Sequence, residues 1–329
     1  VNKESYFQLC SIYIVAVWRS IILGKKVLIF GIGGFVGRYL AQEFKSNGYI
    51  VYGSDIHAPS NYIENTKFVK ADLMNAELVL QVICEIKPDM IINLAAISSV
   101  GVSWNIPQTT MMVNVVGALN IMEAIRKQDS MPKIMFIGSS EEYEVSDFPI
   151  NEQAPLNANN PYGISKVTQE KFVSFYREQY GMKIYYVRPF NHTGVGQRDS
   201  FVLPSFCKQV AEIEKNGKSG IIRVGNIAIQ RDFSHVKDVV RAYRLIIESD
   251  DCTKIYNVGS GKTYSLSQML EYIISLCSQQ VTIQIESSRF RPFDAPVICC
   301  DYSMINRELG WEPQYSVFDA LKEIYESYL

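Results

Sequence analysis

The stretch FGIGGFVG at residues 30–37 places four glycines within seven residues, directly after the apolar run KVLIF. In this GxxGxxG spacing Gly31 permits a tight turn, Gly34 lets backbone approach a pyrophosphate, and Gly37 lets a helix lie close to a sheet. Glycine turns also simply connect strands to helices. Features elsewhere in the chain are therefore needed to distinguish a phosphate-binding site from a plain connecting turn.

Two kinds of segment alternate along the chain from Lys26 onward. Short apolar runs rich in β-branched residues read KVLIF, YIVYGSD, KFVKAD, DMIINLAA, KIMFIGSS and KIYYVRPFN. The segments between them predict helices at residues 34–47, 76–87, 107–127 and 161–180. This alternation predicts an α/β fold with right-handed βαβ units and a doubly wound parallel sheet covered on both faces.

The pattern changes after Arg188, where turn-rich segments separate shorter elements. Ligands of doubly wound proteins lie beyond the carboxyl ends of the strands. We therefore expect residues 25–188 to form a Rossmann domain that binds NAD or NADP. Residues 189–329 are expected to form a smaller, loop-rich and mainly substrate-binding portion packed on it.

Composition excludes several classes of protein. The chain is 47% hydrophobic and 20% charged, with 32 Lys and Arg against 34 Asp and Glu, so no basic excess points to nucleic acid. The seven cysteines are odd in number and nowhere spaced as CxxC, which argues against a disulfide framework. The three histidines are dispersed, so we expect no metal site, and the free thiols favour a cytoplasmic location.

The first 24 residues carry two apolar stretches, 12–18 and 21–23, separated by Arg19 and Ser20. A membrane span needs about 18 uninterrupted apolar residues. We therefore expect no membrane insertion and treat residues 1–24 as an N-terminal extension of unknown role.

An acidic residue ends the second apolar run, eighteen residues after Gly37. The carboxylate of Asp55 would accept hydrogen bonds from the adenosine ribose and repel a 2′-phosphate, which favours NAD over NADP. A solvated Asp at a strand end is the plainer alternative. The further cofactor-binding candidates are Phe35 and Val36 in the glycine stretch, Asp72 and Leu73 near the adenine, and Leu94, Ala95 and Ala96.

The segment NNPYGISKVTQEKF carries Tyr162 and Lys166 four residues apart, on one face of a predicted helix. A neighbouring ammonium is expected to lower the pKa of the phenol and let it act as acid or base. About one such pair is expected by chance among 20 tyrosines, so the spacing alone is weak evidence. The position of the pair in the chain is the stronger argument for a catalytic role. The pair follows the fifth predicted strand, which ends in a cluster of hydroxyls and carboxylates at residues 139–143. A serine there would hold a substrate oxygen while the tyrosine moves its proton.

Together these features resemble the extended short-chain dehydrogenases/reductases of the nucleotide-sugar epimerase and dehydratase family, from about Lys25 to the C-terminus. The resemblance rests on GxxGFxG, Asp55, Asp72-Leu73, Asn93-Leu94-Ala95-Ala96, Asn114, Ser139, the Tyr162/Lys166 pair, RPFN and RPFDAP. It implies a catalytic triad of Ser139, Tyr162 and Lys166. It also implies that Lys166 binds the nicotinamide ribose and that Asn114 helps to position this lysine through the backbone.

Within the family, the segments RPFNHTGVGQ, VGNIAIQRDFSHVKDVVRAY and GSSEEYE most resemble enzymes that reduce GDP-4-keto-6-deoxy-D-mannose to GDP-D-rhamnose. The chain departs from the family at Val195, where proline is usual, and at Glu144, where glycine is usual. The implied reaction passes a hydride to the C4 carbonyl while Tyr162 protonates the developing alkoxide, which Ser139 helps to stabilise.

A nucleotide-diphosphate sugar is the expected substrate. Arginine offers paired donors to phosphate oxygens, although Arg231 could instead pair with Asp232 on the surface. The substrate-binding candidates are Ser140, Asn191, Arg231 and Arg291.

Three alternatives remain open from the sequence. A 4,6-dehydratase needs an additional base, and Glu141 lies where dehydratases carry theirs. A C4 epimerase needs only the triad and tightly bound NAD. A non-catalytic dinucleotide-binding protein would be expected to lack Tyr162 or Lys166, and both are present. The family also suggests a homodimer through the helices at residues 107–127 and 161–180.

Overall fold

The computed structural model describes residues 24–58, 66–129, 131–146, 149–290 and 295–329. The strands are β1 (Lys26–Phe30), β2 (Ile50–Asp55), β3 (Lys67–Lys70), β4 (Met90–Asn93), β5 (Lys133–Ile137), β6 (Ile184–Pro189), β7 (Asn191–Thr193), β8 (Gly220–Val224), β9 (Gln230–His235), β10 (Ile255–Val258), β11 (Thr263–Ser265), β12 (Val281–Ile285) and β13 (Val297–Ile298). The helices are α1 (Phe35–Ser46), α2 (Ala76–Ile86), α3 (Val100–Asn105), α4 (Pro107–Met111), α5 (Gly117–Arg126), α6 (Pro161–Tyr180), α7 (Val202–Asn216), α8 (Val236–Glu248), α9 (Leu266–Ser275), α10 (Ser303–Leu309) and α11 (Val317–Tyr328).

Seven parallel strands form the large sheet, in the order β10-β6-β5-β4-β1-β2-β3. Side chains of β1 alternate between its two faces. Val27 and Ile29 join a core that contains residues of α1 and α8, while Leu28 and Phe30 join one that contains residues of α2, α5 and α6. Because both faces are covered, the predicted doubly wound α/β fold is confirmed.

Capping residues set the ends of the helix that carries the predicted tyrosine and lysine. Asn160 accepts a hydrogen bond from the Gly163 amide at 2.9 Å, and Pro161 occupies the first turn, where no amide donor is needed. Gly181 ends α6 in the left-handed conformation, with φ +64°. Helix α6 therefore spans the predicted residues 161–180.

The helix predicted at residues 107–127 is instead divided into three parts. Helix α4 and helix α5 are joined by a π-helical turn, Met112–Val116. Asn114 lies in this turn, and its side chain bonds the backbone of Ile97 and the hydroxyl of Ser165. These contacts across elements favour the wider turn, which intrinsic helix preference alone does not predict.

The chain after residue 188 contributes to more than one layer. Strand β9 pairs with β7, β11 and β13 in a smaller sheet, and β8 pairs with β12. Helices α7, α9 and α11 enclose a separate apolar core, whereas β10 and α8 pack with the large sheet. The division into residues 25–188 and 189–329 stays a prediction. In the part of the chain described, no helix combines the length and apolarity needed to cross a membrane.

Candidate active site

The glycine turn lies where the order of the large sheet reverses, because β2 and β4 flank β1 on opposite sides. Gly31 has φ +80°, and a Cβ there would lie 2.6 Å from the amide nitrogen of Ala95. A Cβ on Gly37 would collide with the carbonyl oxygen of Ile32. Gly34 directly precedes α1. Bare backbone is thus required where the chain turns from strand to helix, and the helix N-terminus it forms is suited to an anion.

Asp55, at the end of β2, lies beside this turn. One of its carboxylate oxygens accepts a hydrogen bond from the Gly33 amide at 3.0 Å, and the other accepts one from the Ile56 amide at 2.8 Å. The carboxylate therefore holds the glycine turn, and its predicted contact with a ribose stays a prediction.

The other cofactor candidates lie at neighbouring strand ends. Asp72 and Leu73 follow β3, where Asp72 accepts a hydrogen bond from the Met74 amide at 2.9 Å. The residues 94–96 follow β4, and the Leu94 amide donates to the Phe30 carbonyl at 2.9 Å. Phe35 and Val36 begin α1. These strand ends, the bare turn and the adjacent carboxylate fit a dinucleotide, although the role of each residue stays a prediction.

The predicted triad lies at the carboxyl end of β5. Tyr162 and Lys166 share one face of α6, and the lysine Nζ lies 5.8 Å from the centre of the tyrosine ring. The Ser139 side chain lies near enough to Tyr162 to lower the pKa of its hydroxyl, and Lys166 donates to the Ile137 carbonyl at 2.6 Å. All three triad side chains lie among buried residues. The structure thus brings together the three residues that the sequence proposed.

Burial controls the ionisation of the pair. It raises the pKa of Tyr162 well above its usual value, while the nearby Ser139 side chain lowers this pKa in part. Burial lowers the pKa of Lys166 to about 8, and the carboxylate of Glu142 opposes this shift. The lowering of the tyrosine pKa predicted from the neighbouring lysine is therefore not found, because desolvation raises this pKa and no lowering by Lys166 offsets it. A tyrosine that keeps its proton at neutral pH is suited to act as a proton donor.

Asn114 connects three segments around the triad. Its side chain forms hydrogen bonds with the Ile97 backbone and with Ser165 at 2.8–3.1 Å, and its backbone carbonyl accepts a hydrogen bond from the Gln169 side chain at 2.8 Å. Two of these partners belong to α6, so Asn114 supports the helix that presents Lys166. That Asn114 positions Lys166 through the backbone stays a prediction.

A cavity of about 260 Å³ is lined by Ser140 and Asn160, which neighbour Ser139 and Tyr162 in the sequence, while the triad residues themselves are not among its lining residues. Its lining residues are Val100, Gly101, Trp104, Ser140, Glu141, Tyr143, Glu144, Val145, Ile150, Asn159, Asn160, Arg231, Phe290, Ala295 and Ile298. Glu141 accepts a hydrogen bond from the side chain of Asn160 at 2.8 Å, and Ser140 is buried. The lining thus combines polar side chains with apolar and aromatic ones, a composition suited to a sugar or a base.

The predicted substrate residues divide into three groups. Ser140 and Arg231 line the cavity. Arg231 donates to the carbonyls of Gln230 and Ala295 at 2.8 and 2.7 Å. Asn191 begins β7 and pairs with β9, and it is not among the lining residues of this cavity. Arg291 lies outside the described residues.

In the described part of the chain, Asp232 does not form the surface ion pair with Arg231 that the sequence left open. Asp232 is fully buried and accepts hydrogen bonds from the amides of Ser260, Gly261 and Cys300 at 2.8–3.1 Å.

Sequence reasoning missed several lining residues, above all Trp104 and Phe290, which are 52% and 47% exposed. A lone aromatic residue carries no signal in the sequence, whereas Tyr143 belongs to the cluster at residues 139–143 already noted. Glu144, one of the two departures from the family pattern, lies on the cavity wall. At the other departure, Val195, the carbonyl accepts a hydrogen bond from Tyr39 at 2.9 Å.

Comparison with known proteins decides the family, since the sequence profile described as GDP-mannose 4,6 dehydratase matches residues 28–324. The chain belongs to the GDP-mannose 4,6-dehydratase family. The resemblance to nucleotide-sugar epimerases and dehydratases is thereby confirmed, and the site lies in an enzyme of the NAD(P)-dependent kind.

Two relatives and one solved structure show how similar this chain is to known proteins. It is 26% identical to a GDP-6-deoxy-D-mannose reductase of Pseudomonas aeruginosa, over 91% of this chain and 96% of that protein. It is 28% identical to a GDP-mannose 4,6-dehydratase of Vibrio cholerae, over 91% and 92% of the two chains. A solved structure of RMD from Pseudomonas aeruginosa with NADPH matches with a TM-score of 0.80 at 25% identity, over 93% of this chain and 97% of that one.

Proposed function

We propose that this protein reduces the C4 ketone of a nucleotide-linked 4-keto-6-deoxyhexose, most specifically GDP-4-keto-6-deoxy-D-mannose, at the expense of NADH or NADPH. The observation that carries the proposal is the arrangement of Ser139, Tyr162 and Lys166 at the carboxyl end of β5, with the following residues Ser140 and Glu141 lining the cavity. The similarity to a reductase of GDP-6-deoxy-D-mannose supports the same substrate class.

The residues of the chain have separable roles in this reaction. The reduced nicotinamide supplies the hydride when it is bound. Tyr162 donates its proton to the developing alkoxide, and the Ser139 hydroxyl holds the substrate oxygen in line with that proton. Lys166, whose pKa is about 8, keeps positive charge near the tyrosine at neutral pH and favours the phenolate formed after transfer. Arg231 on the cavity wall is proposed to contact the diphosphate.

The preference between NADH and NADPH follows from Asp55. Its carboxylate lies against the glycine turn and would repel a 2′-phosphate, which favours NADH. The structure of the similar Pseudomonas aeruginosa protein contains NADPH. Both cofactors therefore belong in the assay, and we propose the higher kcat/KM for NADH.

A second candidate is dehydration of a GDP-hexose. That reaction needs a base in addition to the triad, and the carboxylate of Glu141 faces the cavity. The family profile itself describes a dehydratase. Glu141→Gln separates the two reactions, because it would abolish dehydration but reduce ketone reduction by less than about tenfold.

We also propose that the protein is a cytoplasmic homodimer. Three apolar side chains on the predicted dimer helices, Met112, Ile164 and Phe175, are each 47% exposed. Sedimentation equilibrium tests this, and replacing Ile164 and Phe175 with glutamate should give a monomer. A wild-type monomer would contradict the proposal.

The deciding assay mixes the purified protein with GDP-4-keto-6-deoxy-D-mannose and NADH or NADPH, and follows nicotinamide absorbance. Tyr162→Phe should lower kcat by about 10²–10⁴-fold, because it removes the proton donor. Tyr180→Phe, which loses one hydroxyl at the exposed end of the same helix, is the matched control. Absence of oxidation with both cofactors would refute the reductase and direct attention to intact GDP-hexoses.

A further inference from the structure

Glu142 lies directly beneath the triad, and the proposed mechanism gives it no role. Its side chain is fully buried. One carboxyl oxygen, Oε1, accepts a hydrogen bond from the Ser139 amide at 2.6 Å and one from the Tyr186 hydroxyl at 3.2 Å. The same hydroxyl lies 2.9 Å from the Lys166 carbonyl and shares its single proton between the two acceptors. The carboxyl group is therefore linked to both ends of the triad.

A buried ion pair occupies the other side of Glu142. Arg188 donates to both carboxylate oxygens of Glu170, at 2.8 and 2.6 Å. The Nε atom of Arg188 lies 3.9 Å from Oε2 of Glu142, too far for a hydrogen bond. Two buried carboxyl groups thus face one guanidinium, which is already committed to Glu170.

The second oxygen of Glu142 is the unusual atom of this arrangement. No hydrogen-bond donor among the described residues reaches Oε2, although this atom is buried. A proton on Oε2 would remove the unpaired charge and supply a donor toward Glu170, its carboxylate neighbour. Burial and the charge of Glu170 raise the pKa of Glu142 to about 8, against the opposing effect of Arg188.

The position of the carboxyl group is also fixed sterically. A Cβ on Gly138 would collide with Oε1 of Glu142 and lie 2.6 Å from the Tyr186 ring. The glycine before Ser139 therefore provides the space that the carboxyl group fills.

We propose that Glu142 is a positioning residue, which carries a proton at neutral pH, holds the Ser139 amide and keeps negative charge away from the triad. The kinetic part of this inference rests on the proposed reduction. The titratable and charged groups that face Glu142 are Glu170, Lys166 and Tyr162 of α6, Arg188 and Tyr186 of β6, and Glu141 and Tyr143 beside it.

Loss of the proton from Glu142 has a defined effect on its neighbours. A carboxylate at this place raises the pKa of Tyr162 and that of Lys166, because both groups feel its charge. The tyrosine then gives up its proton less readily. Ionisation of Glu142 thus slows proton donation on the alkaline side of neutrality.

The first test measures stability and needs no substrate. A carboxyl group whose pKa is raised from 4.5 to about 8 on folding binds its proton more tightly in the native state, so it contributes stability that is lost as pH rises through this range. Urea unfolding of the wild type and of Glu142→Gln is measured at pH 5, 6, 7 and 8. The unfolding constant of the wild type, divided by that of Glu142→Gln, should rise by up to about tenfold for each unit of increasing pH. A constant ratio would overturn the proposal, because Glu142 would then be ionised throughout.

The second test measures the pH profile of kcat with the 4-keto sugar. Glutamine reproduces the protonated carboxyl, accepting from Ser139 and donating toward Glu170, so Glu142→Gln should keep most of kcat at pH 7 and move the alkaline limb to higher pH. Glu142→Leu leaves the Ser139 amide without its partner and should lower kcat at least about tenfold, with KM changed less. Glu152→Gln, in the same network but without contact to Ser139, should leave the limb in place.

Two results would refute the kinetic role. The alkaline limb would move to lower pH in Glu142→Gln if Lys166 controls it, because the lysine loses a carboxylate that raises its pKa. Equal losses of kcat in Glu142→Gln and Glu142→Leu would show that the charged form is required. No turnover of the 4-keto sugar by the wild type would refute the proposed function alone, since the stability test decides the protonation of Glu142 separately.

Discussion

Replacing Gly31 with alanine tests the structural basis of the cofactor turn. The added Cβ would lie 2.6 Å from the Ala95 amide nitrogen, whereas ordinary contacts begin at 3.4 Å, so two backbone segments must separate by roughly 0.8 Å. The left-handed φ of +80° adds about 1–2 kcal/mol, and the forced separation about 1–3 kcal/mol. Gly31→Ala should therefore lower the free energy of unfolding by about 2–5 kcal/mol.

The matched control is Gly48→Ala. Gly48 has nearly the same φ, +88°, but a Cβ added there would have nothing within 4 Å. Its substitution should cost only the conformational strain, about 1–2 kcal/mol. Urea unfolding gives both free energies, and titration with NADH and NADPH should show at least about tenfold weaker binding for Gly31→Ala alone. Equal destabilisation by the two substitutions, with unchanged cofactor binding, would refute the close packing of the turn against residues 94–95.

Two further predictions concern buried ionisable groups. Burial lowers the pKa of Lys166 from 10.5 to about 8, which costs about 3 kcal/mol of folding free energy at neutral pH. Lys166→Met removes this cost but leaves the Ile137 carbonyl without its donor, a loss of about 1–2 kcal/mol. The variant should therefore lose activity without losing stability. A lower urea midpoint for this variant would contradict it. His235 caps α8 by accepting from the Lys237 amide at 3.1 Å, and burial lowers its pKa. Protons therefore bind His235 more tightly in the unfolded state than in the folded state. The free energy of unfolding should fall as pH drops below about 6.5, by up to about 1.4 kcal/mol per pH unit. His235→Asn should make this pH dependence weaker.

Features that depend on local sequence could be predicted. The span of α6 follows from Asn160, Pro161 and Gly181, each of which acts within one turn of the helix. The parallel sheet follows from the alternation of apolar runs and helical segments, and the glycine turn follows from its spacing. For the same reason Tyr162 and Lys166 could be placed on one face before the structure was known.

Features that depend on packing between distant segments could not be predicted. The π-helical turn is held by contacts of Asn114 with Ile97 and Ser165, which lie 17 and 51 residues away. The direction of the Tyr162 pKa shift depends on burial of its side chain, which the spacing to Lys166 does not reveal. Glu142 reads as one more polar residue of GSSEEYE, and only the fold places it against Arg188 and Glu170.

Departures from ordinary folding rules mark this site independently of any family motif. Gly31 adopts a left-handed conformation against a neighbouring backbone, Lys166 is a buried amine, and Glu142 has a buried oxygen with no hydrogen-bond donor among the described residues. Each is unfavourable for folding by itself. The three nevertheless lie around the carboxyl ends of β1 and β5, where the large cores on both faces of the sheet fix the backbone. A site of this kind can keep such groups only because the rest of the sheet determines their positions, which is what a proton donor held beside a reacting carbonyl requires.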